Sequence, residues 1–193
     1  SQSSKFYSFS VFGPSTTTNS IGLKSSANAP TSLVGGGEKL SSESVIFKGT
    51  NDDVRSITDE SKIVWKEYEF KCKPGDVNRR PCLISPYHYR LDWLLWFAAF
   101  GDYNQHPWIL HLTWHLLKGK NEAKDVYDLI EFDPFFNQTE PPKFIKAEHY
   151  EYKFAPWNYK KNPKAWWVRK YLKEYLPPLS LDNESLKRIL GKK

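Results

Sequence analysis

Residues Trp65 to Phe100, WKEYEFKCKPGDVNRRPCLISPYHYRLDWLLWFAAF, change their periodicity midway, and the change decides the fold class. Around the first part, from Ile63 to Cys72, side chains alternate: Val64, Tyr68 and Phe70 fall on one face, Glu67, Glu69 and Lys71 on the other. Period two predicts a strand with one wet face. A turn-rich stretch with Pro74, Gly75 and Pro81 follows, and then Arg90 to Phe100 is apolar nearly all round, the pattern of a buried helix.

Outward from this block the same two periods recur. Val45, Ile46 and Phe47 mark a short strand over Ser44 to Lys48, and Tyr150, Tyr152 and Phe154 alternate with His149, Glu151 and Lys153. Tyr7, Phe9 and Val11 predict a further strand over Phe6 to Phe12. Pro107 suits the first turn of a second helix running to about Lys118. Ala123, Val126, Tyr127 and Ile130 predict a third over Glu122 to Glu131, and Lys164 to Tyr175 reads as a fourth, ending before Pro177–Pro178. Strands, helices, strand, helix is the order of an α+β protein: a small antiparallel sheet packed against aromatic-rich helices.

Residues 1–12 form the N-terminal strand region. Residues 13–43, rich in Ser, Thr, Gly, Asn and Pro, offer little apolar surface against their ordering entropy and read as a flexible insertion. Residues 44–182 carry the α+β domain, and 183–193 a basic tail.

Composition narrows the function. The chain has 193 residues, 39% hydrophobic and 16% aromatic, enough for one domain with a sizeable core made of large pieces. The longest apolar run, Trp93 to Phe100, is eight residues, well short of the roughly 18–20 that span a bilayer. SQSSKFYSFS has no apolar core of a signal peptide. The net charge of +6 is spread and mixed with acids; its local excess is Lys160, Lys161, Lys164, Arg169, Lys170 and Lys173 around Trp166 and Trp167. A basic module for nucleic acid or anionic lipid is one rival reading, although no nucleic-acid motif accompanies the charge and no nucleic-acid partner is expected.

Candidate chemistry is sparse. Cys72 and Cys82 are too few for a four-thiolate metal cage, and either a local disulfide or two separate thiols fits their spacing. His111 and His115 stand at i, i+4 after His106, but HLTWH lacks the glutamate of a zinc-protease helix; no metal is expected. Ser85 and His88 look like a turn, and Arg90 and Asp92 like a salt bridge or cap. There is no nucleophile elbow, P-loop or dinucleotide fingerprint, so no catalytic residue and no cofactor is expected. Asn137-Gln-Thr and Asn183-Glu-Ser are glycosylation triplets, with Asn137 the better placed.

The Trp65–Phe100 block resembles the signature of the lipase maturation factor family: an aromatic strand, C-K-P-G-D, a basic pair, P-C-L-I-S-P-Y-H-Y-R-L-D-W, then an apolar helix. Pro107–Trp108, DPFFNQTEPPKFIKAEHYEYKF, Trp166 to Arg169 and Pro177 to Leu181 extend the likeness over about residues 44–182. FYSFSVFGPSTTTNS is only loosely similar to the family's N-T-Y-G-x-F-G strand entrance, and the insertion of residues 14–43 is not typical of it. The resemblance implies the lumenal C-terminal region of an endoplasmic reticulum membrane protein, anchored by spans outside this chain. It implies a non-enzymatic helper in the folding, assembly and secretion of secreted lipases, lipoprotein lipase among them. In that compartment Cys72 and Cys82 are expected to form a disulfide, worth about 2–3 kcal/mol. Trp157, Tyr159, Trp166 and Trp167 are the candidate partner contacts. The alternative of a thiol–disulfide redox protein is opposed by the nine residues between the cysteines, since redox pairs are commonly C-x-x-C at a helix start.

Overall fold

A computed structural model describes residues 41–82 and 89–190, apart from the Ser185 side chain. The expected Phe6–Phe12 strand, residues 13–40 of the expected insertion, and Ser85 and His88 lie outside the described residues. Residues 41–43, expected as the end of that insertion, are strand, held by pairing with residues 151–153.

Strand β1 (Ser41–Thr50) lies centrally in a four-stranded antiparallel sheet, flanked by β2 (Lys66–Glu67) and β5 (Phe144–Phe154), with β6 (Trp167–Leu179) beyond β5. A two-stranded sheet pairs β3 (Glu69–Phe70) with β4 (Ile130–Phe132). The helices are α1 (Arg90–Ala98), α2 (Trp108–Lys118), α3 (Lys124–Tyr127) and α4 (Glu184–Leu190). The α+β class and the antiparallel sheet against aromatic-rich helices stand as expected from the sequence.

The sheet buries both faces, differently. Val45 and Phe47 of β1 stand opposite His149 and Ala147 of β5, and with Ile145, Tyr175 and Leu176 they meet the helices in the main core. Ile46 points the other way, joining Tyr150, Tyr152 and Trp167 in a second cluster with Val77. Alternation along each strand makes this division. Helix α2 supplies Ile109, Leu112, Thr113, Leu116 and Leu117 to the main core, the i, i+3, i+4, i+7 stripe of a helix on a sheet. It stops at Gly119, whose φ of 78° suits glycine, and a Cβ there would lie 2.8 Å from Pro141 Cβ. Tyrosine hydroxyls tie the layers: Tyr127 donates to Leu116 O at 2.9 Å and Tyr175 to Ala98 O at 3.0 Å.

Four expectations need correction. Lys164 to Tyr175 is not a helix; Trp167–Leu179 is an edge strand that runs through Pro177–Pro178. A proline has no N–H to offer a ladder, which an edge strand tolerates on its solvent side. Glu122 to Glu131 is helical only over Lys124–Tyr127. Its periodic residues are still inward, with Ala123, Tyr127 and Ile130 buried, but Ile130 enters β4 to pair with Phe70. The Ile63–Cys72 strand breaks at Tyr68, whose N–H goes to Phe47 O at 2.9 Å, so Lys66–Glu67 and Glu69–Phe70 serve different sheets, and Val64 is exposed. Finally, α4 occupies the segment read as a basic tail, and its Leu186 sits in the main core.

Helix α1 also departs from its expected full burial. Asp92, Leu95 and Ala98 face inward, while Trp93, Phe97 and Phe100 are 39%, 52% and 63% exposed. One side of α1 packs on β1; the opposite side keeps its rings at the surface.

Candidate functional site

Cys72 and Cys82 are joined in a disulfide, Cα–Cα 5.2 Å. The loop it closes is pinned from several directions. Asp92, at the start of α1, accepts from the Cys72 and Lys73 amides through Oδ1, at 2.7 and 2.8 Å. Arg79 donates to the carbonyls of Phe70 and Lys71. Tyr152 on β5 donates to Gly75 O at 2.8 Å, and Trp167 Nε1 on β6 to Arg79 O at 2.8 Å. The loop is therefore a lid over the second hydrophobic cluster. Asp92, expected as a cap or salt-bridge partner, is buried and acts as an anchor for backbone amides of the loop; Arg90 is exposed.

Beneath the lid, Lys73 is 6% exposed and its Nζ donates to Ser44 Oγ at 2.8 Å and Pro74 O at 3.3 Å. Burial pushes its ammonium down to about 7, against the attraction of Asp92. Beside it runs an ionic cluster on the same sheet face. Arg169 holds Glu67 through two bonds of 2.7 and 2.8 Å. Lys48 bridges Glu67 at 3.0 Å and Glu148 at 2.7 Å, Lys146 reaches Glu148 at 2.8 Å, and Tyr150 donates to Glu148 at 2.6 Å. Burial works against the ionised Glu148, but the bonds from Lys146, Lys48 and Tyr150 outweigh it and bring the carboxyl down to about 2. Glu67 is lowered the same way by Arg169 and Lys48. Each charge in the cluster has a partner, and removing one partner would leave a largely buried charge uncompensated.

Two exposed aromatic surfaces among the described residues bear on partner contact. The first is the outer side of α1. Trp93 and Trp96 lie 4.9 Å apart, Trp96 meets Phe100 edge-on at 5.0 Å, and Phe97 meets Phe100 at 6.3 Å. Phe97 also touches His106, 6.1 Å away, and Tyr89 is 47% exposed. Exposed rings in contact with one another are the usual mark of a protein-binding patch.

The second is the β5–β6 hairpin end, residues 155–166. The expected contacts divide here: Trp157 is fully exposed, Trp166 is 46% exposed, Tyr159 is half-buried, and Trp167 is buried. Trp167 stacks on Phe154 at 4.7 Å under the disulfide loop, so it is core and not a contact.

Among the described residues the histidines are not assembled into a metal site. His111 is exposed and His115 half-buried, and among the described residues no group of three His, Cys, Asp or Glu is arranged to hold a metal. Asn137 lies exposed in a turn, beside a cavity of about 410 Å³ lined by Tyr127, Phe132 and Phe136. Asn183 caps α4, accepting from the Leu186 amide at 3.2 Å. Cys72 follows β3, not the start of a helix, unlike the reactive thiol of a redox pair.

Sequence reading missed Lys73 and the Lys48–Glu67–Glu148–Arg169 cluster. A lysine three residues after a buried aromatic in a turn carries no visible signal, and Glu67 and Arg169 are 102 residues apart.

The geometry defines an α+β domain whose sheet is clamped by a disulfide lid and whose helix layer leaves an aromatic edge open. The family model of the lipase maturation factor C-terminal domain matches residues 37–177, and the chain belongs to this family. It is 51% identical over 140 residues to lipase maturation factor 1 of Mus musculus and 50% identical over 139 to that of Homo sapiens, covering 72% of this chain and 23% of each relative. Lipase maturation factor 2 of Xenopus laevis is 36% identical over 132 residues, 66% of this chain and 18% of the relative. The chain thus spans less than a quarter of the length of these relatives. No solved structure gives a significant match.

Proposed function

We propose that this domain is a non-catalytic, lumenal part of an endoplasmic reticulum membrane-anchored factor that helps secreted lipases, lipoprotein lipase among them, to fold, assemble and leave the cell. The observation that carries the reading is the family match over residues 37–177, with half of the aligned residues identical to relatives named for lipase maturation. The disulfide is in keeping with an oxidising compartment. Among the described residues no helix is long and apolar enough to cross a membrane, and the reading assigns anchoring to spans outside this chain. In the lumen the exposed Asn137 is the glycan acceptor, and Asn183 a second whose amide oxygen still caps α4.

The aromatic edge of α1 is the client-facing surface. A folding client presents apolar segments that have not yet been buried, and contiguous rings of Trp93, Phe97 and Phe100 offer them area with little entropy to lose. The test is rescue of lipase secretion in cells lacking the factor. Full-length protein is expected to restore active lipase in the medium, and the same protein without this domain is not. Equal rescue by both would overturn the reading.

A further inference from the structure

From Tyr152 to Lys173 the chain has seven Lys or Arg and no Asp or Glu. Arg169 is paired with Glu67, Lys153 with Glu151 and Lys173 with Asp102. Lys170, on β6, is exposed and in no salt bridge among the described residues, and Lys160, Lys161 and Lys164 share that state off the strands. The last three lie on the turn joining β5 to β6. A fourth cation comes from the disulfide loop, where the Arg80 guanidinium lies 5.9 Å from the Trp166 ring. Asp76 of that loop is turned back on Asn78, accepting from its amide at 2.9 Å and its side chain at 3.2 Å.

On the same turn, three residues before Lys160, stands Trp157, as exposed as a free residue can be, with exposed Pro156 and Asn158 beside it. The turn is nonetheless well braced. Val77 O accepts from the Trp166 and Trp167 amides at 2.9 and 3.0 Å, Asn162 donates to Asn78 at 2.7 Å, and Ala155 N–H closes on Trp166 O at 2.9 Å. A stiff turn that holds a bare indole among unpaired cations has little to gain in water.

We propose that this hairpin end docks on an anionic membrane surface. An indole seats at the boundary between headgroups and acyl chains, where its ring is apolar and its N–H remains wet, and flanking lysines reach the headgroup charge. The partner is a bilayer carrying anionic headgroups, chosen by charge complementarity with the cluster of Lys160, Lys161, Lys164 and Arg80. A nucleic acid would want a tracked groove with stacking platforms, and here Trp157 is a single projecting ring. The inference goes beyond the client reading and stands on a different surface from α1.

The test is flotation of the 193-residue chain with phosphatidylcholine vesicles with and without phosphatidylserine, at low and high salt. Binding is expected only with phosphatidylserine and is expected to disappear at high salt. At about fivefold per cation, K160Q/K161Q/K164Q, which removes three positive charges, lowers the partition coefficient on the order of 100-fold. W157A weakens binding, and brominated acyl chains quench part of the fluorescence of the parent but not that part in W157A. Neither variant removes a structural bond, so both are expected to melt as the parent does. Absence of vesicle binding, or binding indifferent to both variants, would overturn the proposal. So would retention of single-stranded DNA or of an acidic peptide by this cluster with vesicles left unbound.

Discussion

Glu67 on β2 and Arg169 on β6 belong to the two edge strands of the sheet, yet they meet in a two-bonded ion pair at 2.7 and 2.8 Å. The pair reaches over β1 and β5, a span that only a coiled sheet allows. Both side chains are about three-quarters buried. R169A therefore leaves Glu67 underpaired and is expected to cost about 2–3 kcal/mol in urea denaturation. R169K should recover little, because a lysine cannot offer two parallel bonds.

Acid should destabilise the domain through Glu148 and Glu67. Their folded pKa values lie below the unfolded ones, so the stability they contribute is present above the ordinary glutamate value and is lost as pH falls toward about 2, where Glu148 itself titrates. Melting temperature followed from pH 5 downward is expected to drop less steeply in E148Q than in the parent.

Lys73 works in the opposite sense. Its folded pKa of about 7 is below the unfolded value, so the unfolded chain binds more protons between pH 7 and the ordinary lysine range. Stability from this group rises as pH climbs through that window. K73M removes the dependence, and since methionine needs no desolvated charge, it is expected to melt no lower than the parent at pH 7. A large loss at neutral pH would mean that the bond to Ser44 outweighs burial.

Reducing the disulfide, or the C72S/C82S variant, frees a short loop and should cost about 3 kcal/mol. Because the loop covers Trp167, the fluorescence of the native state should also shift. The linked Cys72–Cys82 peptide, sought by mass spectrometry without reduction in protein from the secretory pathway, checks the bond itself.

F97S/F100S in the full-length protein is expected to lower active lipase in the medium severalfold while leaving the melting temperature nearly unchanged. Both rings are more than half exposed, so their removal opens no cavity. Unchanged secretion would remove α1 as the client surface.

Much of the fold is legible along the chain because each element's environment is periodic. The β-branched and aromatic run Val45–Phe47 and the alternation at Tyr150–Phe154 mark β1 and β5, and the apolar stripe of α2 marks a helix on a sheet. β6 was illegible for a definite reason: aromatic and β-branched residues mixed with lysines suit either period, and Pro177–Pro178 read as a stop. Whether proline stops an element or sits on its edge depends on the neighbour, and no local pattern names the neighbour.

The sequence by itself determined the α+β class, the family, and the residues available for a disulfide and for an aromatic surface. Tertiary structure alone decided which rings are surface and which are core. Trp166 and Trp167 are adjacent and chemically identical, yet one is half exposed and the other is stacked on Phe154 under the lid. Successive side chains in a strand point to opposite faces, and only the position of the disulfide loop over one of those faces buries Trp167. The same holds for Lys73 and for Glu67 with Arg169. Burial and long-range pairing are properties of what the fold brings together, and residues 102 apart have no local means of announcing that they meet.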